Sequence, residues 1–153
     1  MSAEQKIEEL GLKLPARPAP LANYVGAVKN GDTLYVSGHV PLDAAGKPTR
    51  VGKVGREVSP DEGYSLARYA GLMVLATVRE TLGSLDKVKR VVKVVGLVNA
   101  TEDFTEHPRV VNGFSDLMVE VFGADIGRHA RSAIGVGSLP KGSAVEVEAV
   151  FQV

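Results

Sequence analysis

Apolar and polar positions alternate strictly at the end of the chain, with Val145, Val147, Ala149 and Phe151 on one side and Glu146, Glu148, Val150 and Gln152 on the other. A period of two over eight positions predicts a β-strand with one buried face. His129 to Val136 reads as a second strand carrying an arginine, Arg131, near its start, and Leu139 to Ser143 reads as a turn. The two strands are expected to pair as a closing β-hairpin, which would bring Arg131 near Glu146 and Glu148. Val88 to Asn99 is rich in β-branched residues and reads as a buried strand. Near the start, Tyr24 to Val28 and Thr33 to Val40 flank Asn30-Gly31-Asp32, a tight-turn signal. Gly52 to Val58 is a weaker, glycine-containing strand, expected at an edge or bulged.

Helical spacing appears in two long stretches. Ser59, Pro60 and Glu62 supply an N-cap, a proline at the first helical position and a capping-box glutamate. The helix they open runs to about Leu82, with Leu66, Tyr69, Ala70, Met73 and Val74 on its apolar face and Gly83 as its stop. A second helix spans Pro108 to Phe122, with Val110, Phe114, Leu117, Met118 and Val121 in one stripe and Gly123 ending it. A short N-terminal helix ends at Gly11, and Pro15, Pro18 and Pro20 enforce an extended connection after it. The predicted order of the main body is β-β-β-α-β-α-β-β. The fold class is therefore α+β, a single mixed β-sheet with two helices packed on one face. The other sheet face stays partly apolar and uncovered, which suggests a closed assembly of several subunits.

Composition narrows the chemistry. At 153 residues the chain is expected to be one domain, residues 1–153, with 1–19 as the N-terminal helix and proline-rich connection. There is no cysteine, so disulfides, zinc-thiolate sites and a cysteine nucleophile are excluded. Basic and acidic residues balance at 18 each. The nearest basic cluster, Lys87, Lys89, Arg90 and Lys93, reads as a solvated face, so no nucleic-acid partner is expected. A polar N-terminus and the absence of any long apolar run argue against a signal peptide or a membrane span, and a cytoplasmic location is the expectation. His39, His107 and His129 lack metal-ligand spacing, Gly135-Val136-Gly137 lacks the rest of a dinucleotide fingerprint, and no serine sits in a nucleophile elbow. No metal or cofactor is expected. What remains is an arginine fork suited to a carboxylate and a glutamate suited to handling a proton; on the residues alone, a structural ion pair accounts for them equally well.

Tyr24-Val25, Ser37-Gly38-His39-Val40-Pro41, Val111-Asn112, Ala130-Arg131-Ser132, Leu139-Pro140 and Val145-Glu146-Val147-Glu148-Ala149 follow in that order. In this arrangement the chain, from about residue 20 to 153, resembles the RidA (YjgF) family of reactive-intermediate deaminases. The resemblance implies a chorismate-mutase-like fold assembled as a homotrimer, with sheets forming a central barrel and clefts at the subunit interfaces. It also implies cofactor-independent hydrolysis of 2-imino and 2-enamino acids, such as 2-aminoacrylate, to 2-oxo acids and ammonia. By motif position, Arg131 would clamp the substrate carboxylate and Glu148 would position or deprotonate water, although Glu146 shares its strand face. Tyr24 would border the cleft from a neighbouring subunit. Ser37 would supply a hydroxyl, Gly38 a close-approach backbone and Asn112 a hydrogen bond, with Ser132 completing the substrate-binding set. Ala133 stands where many members carry cysteine, the stretch 123–128 is longer, and the N-terminal helix is additional, which marks a divergent subgroup. The alternative is a non-catalytic trimer that binds or senses small carboxylate metabolites. Ribonuclease activity fits poorly with zero net charge.

Overall fold

A two-residue turn starts the sheet. The computed structural model describes residues 1–16, 18–20 and 22–153; Arg17, within the proline-rich connection, and Leu21 lie outside the described residues. Strand β1 (Ala27–Asn30) folds back onto β2 (Thr33–His39) with Asn30 opposite Thr33, and Gly31 takes the left-handed φ of 62° that the turn needs. The strand starts later than predicted, leaving Tyr24 and Val25 exposed ahead of it.

Helix α1 (Ala3–Glu9) is opened by a complete capping box between Ser2 and Gln5. It is pinned through Glu4, whose carboxylate accepts from Arg79 Nε at 3.1 Å and from the Leu85 amide at 2.8 Å. Helix α2 (Pro60–Leu82) starts at the predicted cap, Ser59 Oγ accepting from the Glu62 amide at 3.1 Å, and stops at Gly83 with φ 83°. Only the serine half of the expected capping box forms, because the Glu62 carboxylate accepts from Arg50 Nε at 2.9 Å instead. Ser59→Ala should cost about 1 kcal/mol of stability in urea unfolding, the usual loss of a single cap. Helix α3 (His107–Gly127) leaves helical geometry at Gly123 (φ 79°), yet one more turn carries it to Gly127.

The five-stranded sheet has the order β1-β2-β5-β3-β4, with β3 (Arg90–Asn99), β4 (Ala130–Val136) and β5 (Val145–Gln152). Two expectations are corrected here. Gly52 to Val58 is not a strand: Gly52 and Gly55 adopt φ of 133° and 98°, so the segment makes only isolated bridges at Val54 and Val58. The closing hairpin does not form either. β5 lies antiparallel between β2 and β3, while β4 runs parallel to β3 at the sheet edge. The physical reason is burial. β5 presents Val145, Val147, Ala149 and Phe151 fully to the core, which favours a central position. The β4 sequence is small, polar and partly exposed, and tolerates an edge.

Helices α2 and α3 cover one face of this sheet. Leu34, Val36, Val94, Val98 and the apolar side of β5 pack there against Val74, Leu75, Val78, Phe114, Leu117 and Met118. The opposite face keeps Val28, Tyr35, Val92 and Ile134 exposed around Glu148, a patch a soluble chain does not ordinarily leave uncovered.

Candidate active site

Register decides where the arginine goes. Arg131 on β4 pairs with Val94 on β3, and Val94 pairs with the buried Ala149, so the guanidinium lies on the helix-covered side of the edge strand. There α3 meets it with two side chains three residues apart, on one face of the helix. Arg131 Nη1 donates to Asn112 Oδ1 at 2.8 Å and to Ser115 Oγ at 3.1 Å. Ser115 Oγ is also 2.9 Å from His129 Nε2, and His129 Nδ1 is 2.7 Å from the Gly127 carbonyl. Burial, reinforced by the Arg131 charge and opposed by the Gly127 contact, holds the His129 imidazole below its ordinary range. Burial pulls Arg131 down, opposed in part by the Asp116 charge. Among the described residues no protein group accepts from Arg131 Nε or Nη2, and no carboxylate forms an ion pair with it. Ser132, the next residue, points to the opposite face, where its hydroxyl accepts from Lys93 Nζ at 3.3 Å.

The other predicted residues gather around β2. A cavity of about 260 Å³ is lined by Tyr24, Ser37, Gly38, Leu42, Met73 and Pro140 among others. Ser37 and Gly38 sit at a break in register between β2 and β5, which turns their backbone out of the ladder. Ser37 Oγ spends its proton on the Val25 carbonyl at 2.7 Å, so toward a ligand it can only accept. Gly38 is needed for space: a Cβ there would lie 2.1 Å from Glu146 Oε1. The Glu146 carboxylate thus rests directly against backbone. It is half-buried, and burial, followed by the nearby Glu148, pushes its pKa above the ordinary carboxylate value of 4.5. Glu148 is exposed and borders a shallower depression with Tyr35, Ser37 and Lys93.

Within one chain these two groups are apart. Three strand spacings separate β2 from β4, about 14 Å. Arg131 and the two glutamates also face opposite sides of the sheet, because the register aligns Arg131 through Val94 with Ala149 and not with Glu146 or Glu148. Arg131 and Asn112 are brought together; Tyr24, Ser37, Gly38 and Glu146 form a second cluster. Ser115 escaped the sequence reading, although its spacing from Asn112 carried the signal, and His129 was weighed there only as a metal ligand. Lys53 escaped it without any signal. Its ammonium donates to Asn99 Oδ1 at 2.8 Å and to the Gly137 carbonyl at 2.7 Å, and Asn99 Nδ2 donates to the Ser143 carbonyl at 3.2 Å, tying the connection from β4 to β5. Among the described residues no cluster of His, Asp and Glu has metal-binding geometry, and no helix is long and apolar enough to cross a membrane.

A family model described as "YjgF/chorismate_mutase-like, putative endoribonuclease" matches residues 4–151. The chain belongs to the RidA/YjgF family. Its α+β fold is the chorismate-mutase-like fold of that family. Protein TCP17 of Trypanosoma cruzi is 46% identical over 146 residues, spanning 95% of this chain and 91% of its own length. A 2-iminobutanoate/2-iminopropanoate deaminase of Dermatophagoides farinae is 30% identical over 139 residues, covering 91% and 92%. The crystal structure of protein Atu1372 from Agrobacterium tumefaciens, of unknown function, superposes with a TM-score of 0.88 at 38% identity, over 99% of this chain and 91% of that one.

Proposed function

We propose that this protein hydrolyses 2-imino and 2-enamino acids, 2-aminoacrylate and its imine among them, to 2-oxo acids and ammonia without a cofactor. The observation that carries the reading is Arg131: a guanidinium fixed from behind by neutral oxygens, with its Nε and Nη2 edge unpaired among the described residues. Two parallel N–H groups on that edge match the two oxygens of a substrate carboxylate. The likeness to an imine deaminase at 30% identity over nearly the full length supports the same substrate class. Zero net charge gives the ribonuclease reading no comparable support.

The complete cleft is proposed to form between copies of the chain in a homotrimer. One copy contributes Arg131, Asn112 and the edge strand β4. The next contributes Tyr24, Ser37, Gly38 and a glutamate. The distance between the two clusters in one chain and the uncovered apolar sheet face both support this assembly. Sedimentation should give a particle of three chains.

In the reaction an enamine is first protonated at C3 to give the imine. Water then adds to C2 of the protonated imine, its proton passing to a carboxylate. The carbinolamine nitrogen takes that proton back, the C2–N bond breaks, and the C2 hydroxyl becomes the carbonyl as its proton leaves with ammonia. A carboxyl with a raised pKa serves both transfers, as base and then as acid. Burial and contact with the Gly38 backbone favour Glu146 for this role over the exposed Glu148.

The test compares Glu146→Gln with Glu148→Gln in an assay where an amino-acid oxidase supplies the imine and its decay is followed. Glu146→Gln is expected to abolish the enzymatic increment and Glu148→Gln to leave most of it; the reverse pattern would move the role to Glu148. A stability signature accompanies this. With its folded pKa above the unfolded value, Glu146 favours the fold only while protonated, and that contribution is lost as pH rises through the folded pKa. Glu146→Gln should therefore melt higher than wild type at neutral pH, and the gap should close as pH falls below 4.5. Stabilisation of the wild type by 2-oxo acids without any turnover would point to a binding protein instead.

A further inference from the structure

We propose that Ser115 and His129 are positioning residues for Arg131: they hold its Nη1 so that the Nε–Nη2 edge faces a substrate carboxylate. The inference deepens the reading above and rests on it for the identity of the ligand, though not for the hydrogen-bond chain itself.

Donor and acceptor accounting sets the direction of that chain. The Gly127 carbonyl can only accept, so His129 Nδ1 carries the proton at the 2.7 Å contact. Nε2 of the neutral ring is then a bare acceptor, and the Ser115 hydroxyl donates to it at 2.9 Å. That commits the hydroxyl proton away from the arginine and turns an oxygen lone pair toward Nη1, 3.1 Å away. Asn112 Oδ1 takes the other Nη1 proton at 2.8 Å. Both protons of one nitrogen are used, and the N–H groups of Nε and Nη2 stay without a partner among the described residues.

The partners are all neutral. An arginine serving only the fold commonly meets a carboxylate, as Arg68 meets Glu120 and Arg79 meets Glu4 in this chain. Arg131 has no such partner among the described residues, since Asp116 acts on it through its charge without an ion pair, so its Nε and Nη2 donors stay available to a ligand while its orientation is fixed. The imidazole is guarded in the same sense. Arg131 faces it from β4, Arg128 precedes it, Arg90 of β3 lines the same depression, and Phe114 of α3 meets it edge-on with ring centroids 6.4 Å apart. No carboxylate is among these neighbours. A second proton on His129 would make Nε2 a donor, leave the Ser115 proton without that acceptor and place a second positive charge beside Arg131. Neutral His129 is thus the state that holds the clamp.

The experiment uses the full chain as wild type, Ser115→Ala, Ser115→Thr, His129→Gln and Arg131→Lys. Three readouts are taken: calorimetric binding of 2-oxobutanoate, KM and kcat against pH in the imine assay, and the nitrogen-15 Nε–Hε resonance of Arg131, assigned by its loss in Arg131→Lys. Ser115→Ala is expected to weaken binding and raise KM about tenfold, the effect of one charge-assisted hydrogen bond, with kcat nearly unchanged. Ser115→Thr, which keeps the hydroxyl, should restore both. His129→Gln should remove the imidazole's contribution to the acid limb of the kcat/KM profile and leave the part set by the catalytic glutamate, and Ser115→Ala should shift the Arg131 resonance and speed its exchange with water. A lowered melting temperature with unaltered KM, pH profile and resonance would reduce the two residues to a packing role and overturn the proposal. If the wild type neither binds nor turns over these compounds, the proposed substrate is wrong, and the resonance alone then decides whether Ser115 holds Arg131.

Discussion

Replacing Arg131 with alanine should lower kcat/KM for 2-iminobutanoate by about a thousandfold, corresponding to the loss of roughly 4 kcal/mol from two charge-assisted hydrogen bonds to the carboxylate. The fold should survive, because Arg131 lies on an edge strand, is only partly buried and forms no ion pair among the described residues. Lysine should not rescue activity: a single ammonium lacks the planar fork, and it could not satisfy Asn112 and Ser115 while keeping two parallel donors for the ligand. The defect should be specific to substrates with a carboxylate next to the imine carbon. The check is the oxidase-coupled assay with a panel of amino acids, run beside thermal melts. Wild-type rates in Arg131→Ala for every substrate would remove the arginine from the mechanism and the imino-acid reading with it.

The largest expected stability effect is at Gly113. A Cβ there would lie 2.0 Å from the Tyr64 carbonyl oxygen and 3.0 Å from the Arg68 amide nitrogen, both backbone atoms of α2. Backbone does not yield as a flexible side chain does, so Gly113→Ala must push α3 off α2. That separation opens the layer in which Phe114, Leu117 and Met118 are buried. A loss of about 3 kcal/mol or more is expected, at the upper end of overpacking costs. Because Asn112 and Ser115 flank this position and hold Arg131, activity should fall alongside stability. Equilibrium urea unfolding measures it. A change within about 1 kcal/mol would mean that the helices separate at little cost, contrary to the packing described here.

Much of this was legible locally. The caps at Ser59 and Gly83, the Asn30-Gly31-Asp32 turn, the apolar stripe of α3 and the alternation of β5 all follow from interactions between residues near in sequence. Those interactions carry the same consequences in any fold. The segment from Gly52 to Val58 misled because its β-branched residues resemble a strand, while its two glycines in left-handed conformations prevent a ladder. The motif positions of Arg131 and Asn112 were also legible, but not that their side chains meet. Which glutamate rests against Gly38 was not, since Glu146 and Glu148 share a face and differ only in what lies across the sheet from them.

Period-two and period-3.6 patterns assign each residue to a face, and that much the chain's sequence determined by itself: β5 buries its valines whichever strands flank it. The neighbours of a strand are a different matter. Backbone hydrogen bonds are the same for every partner, so nothing in the pattern of β4 or β5 says whether they pair with each other or with β3. Only the tertiary structure, by burying β5 centrally and leaving β4 at the edge, put Arg131 beneath α3 with Asn112, Ser115 and His129, and the two glutamates on the far side of the sheet.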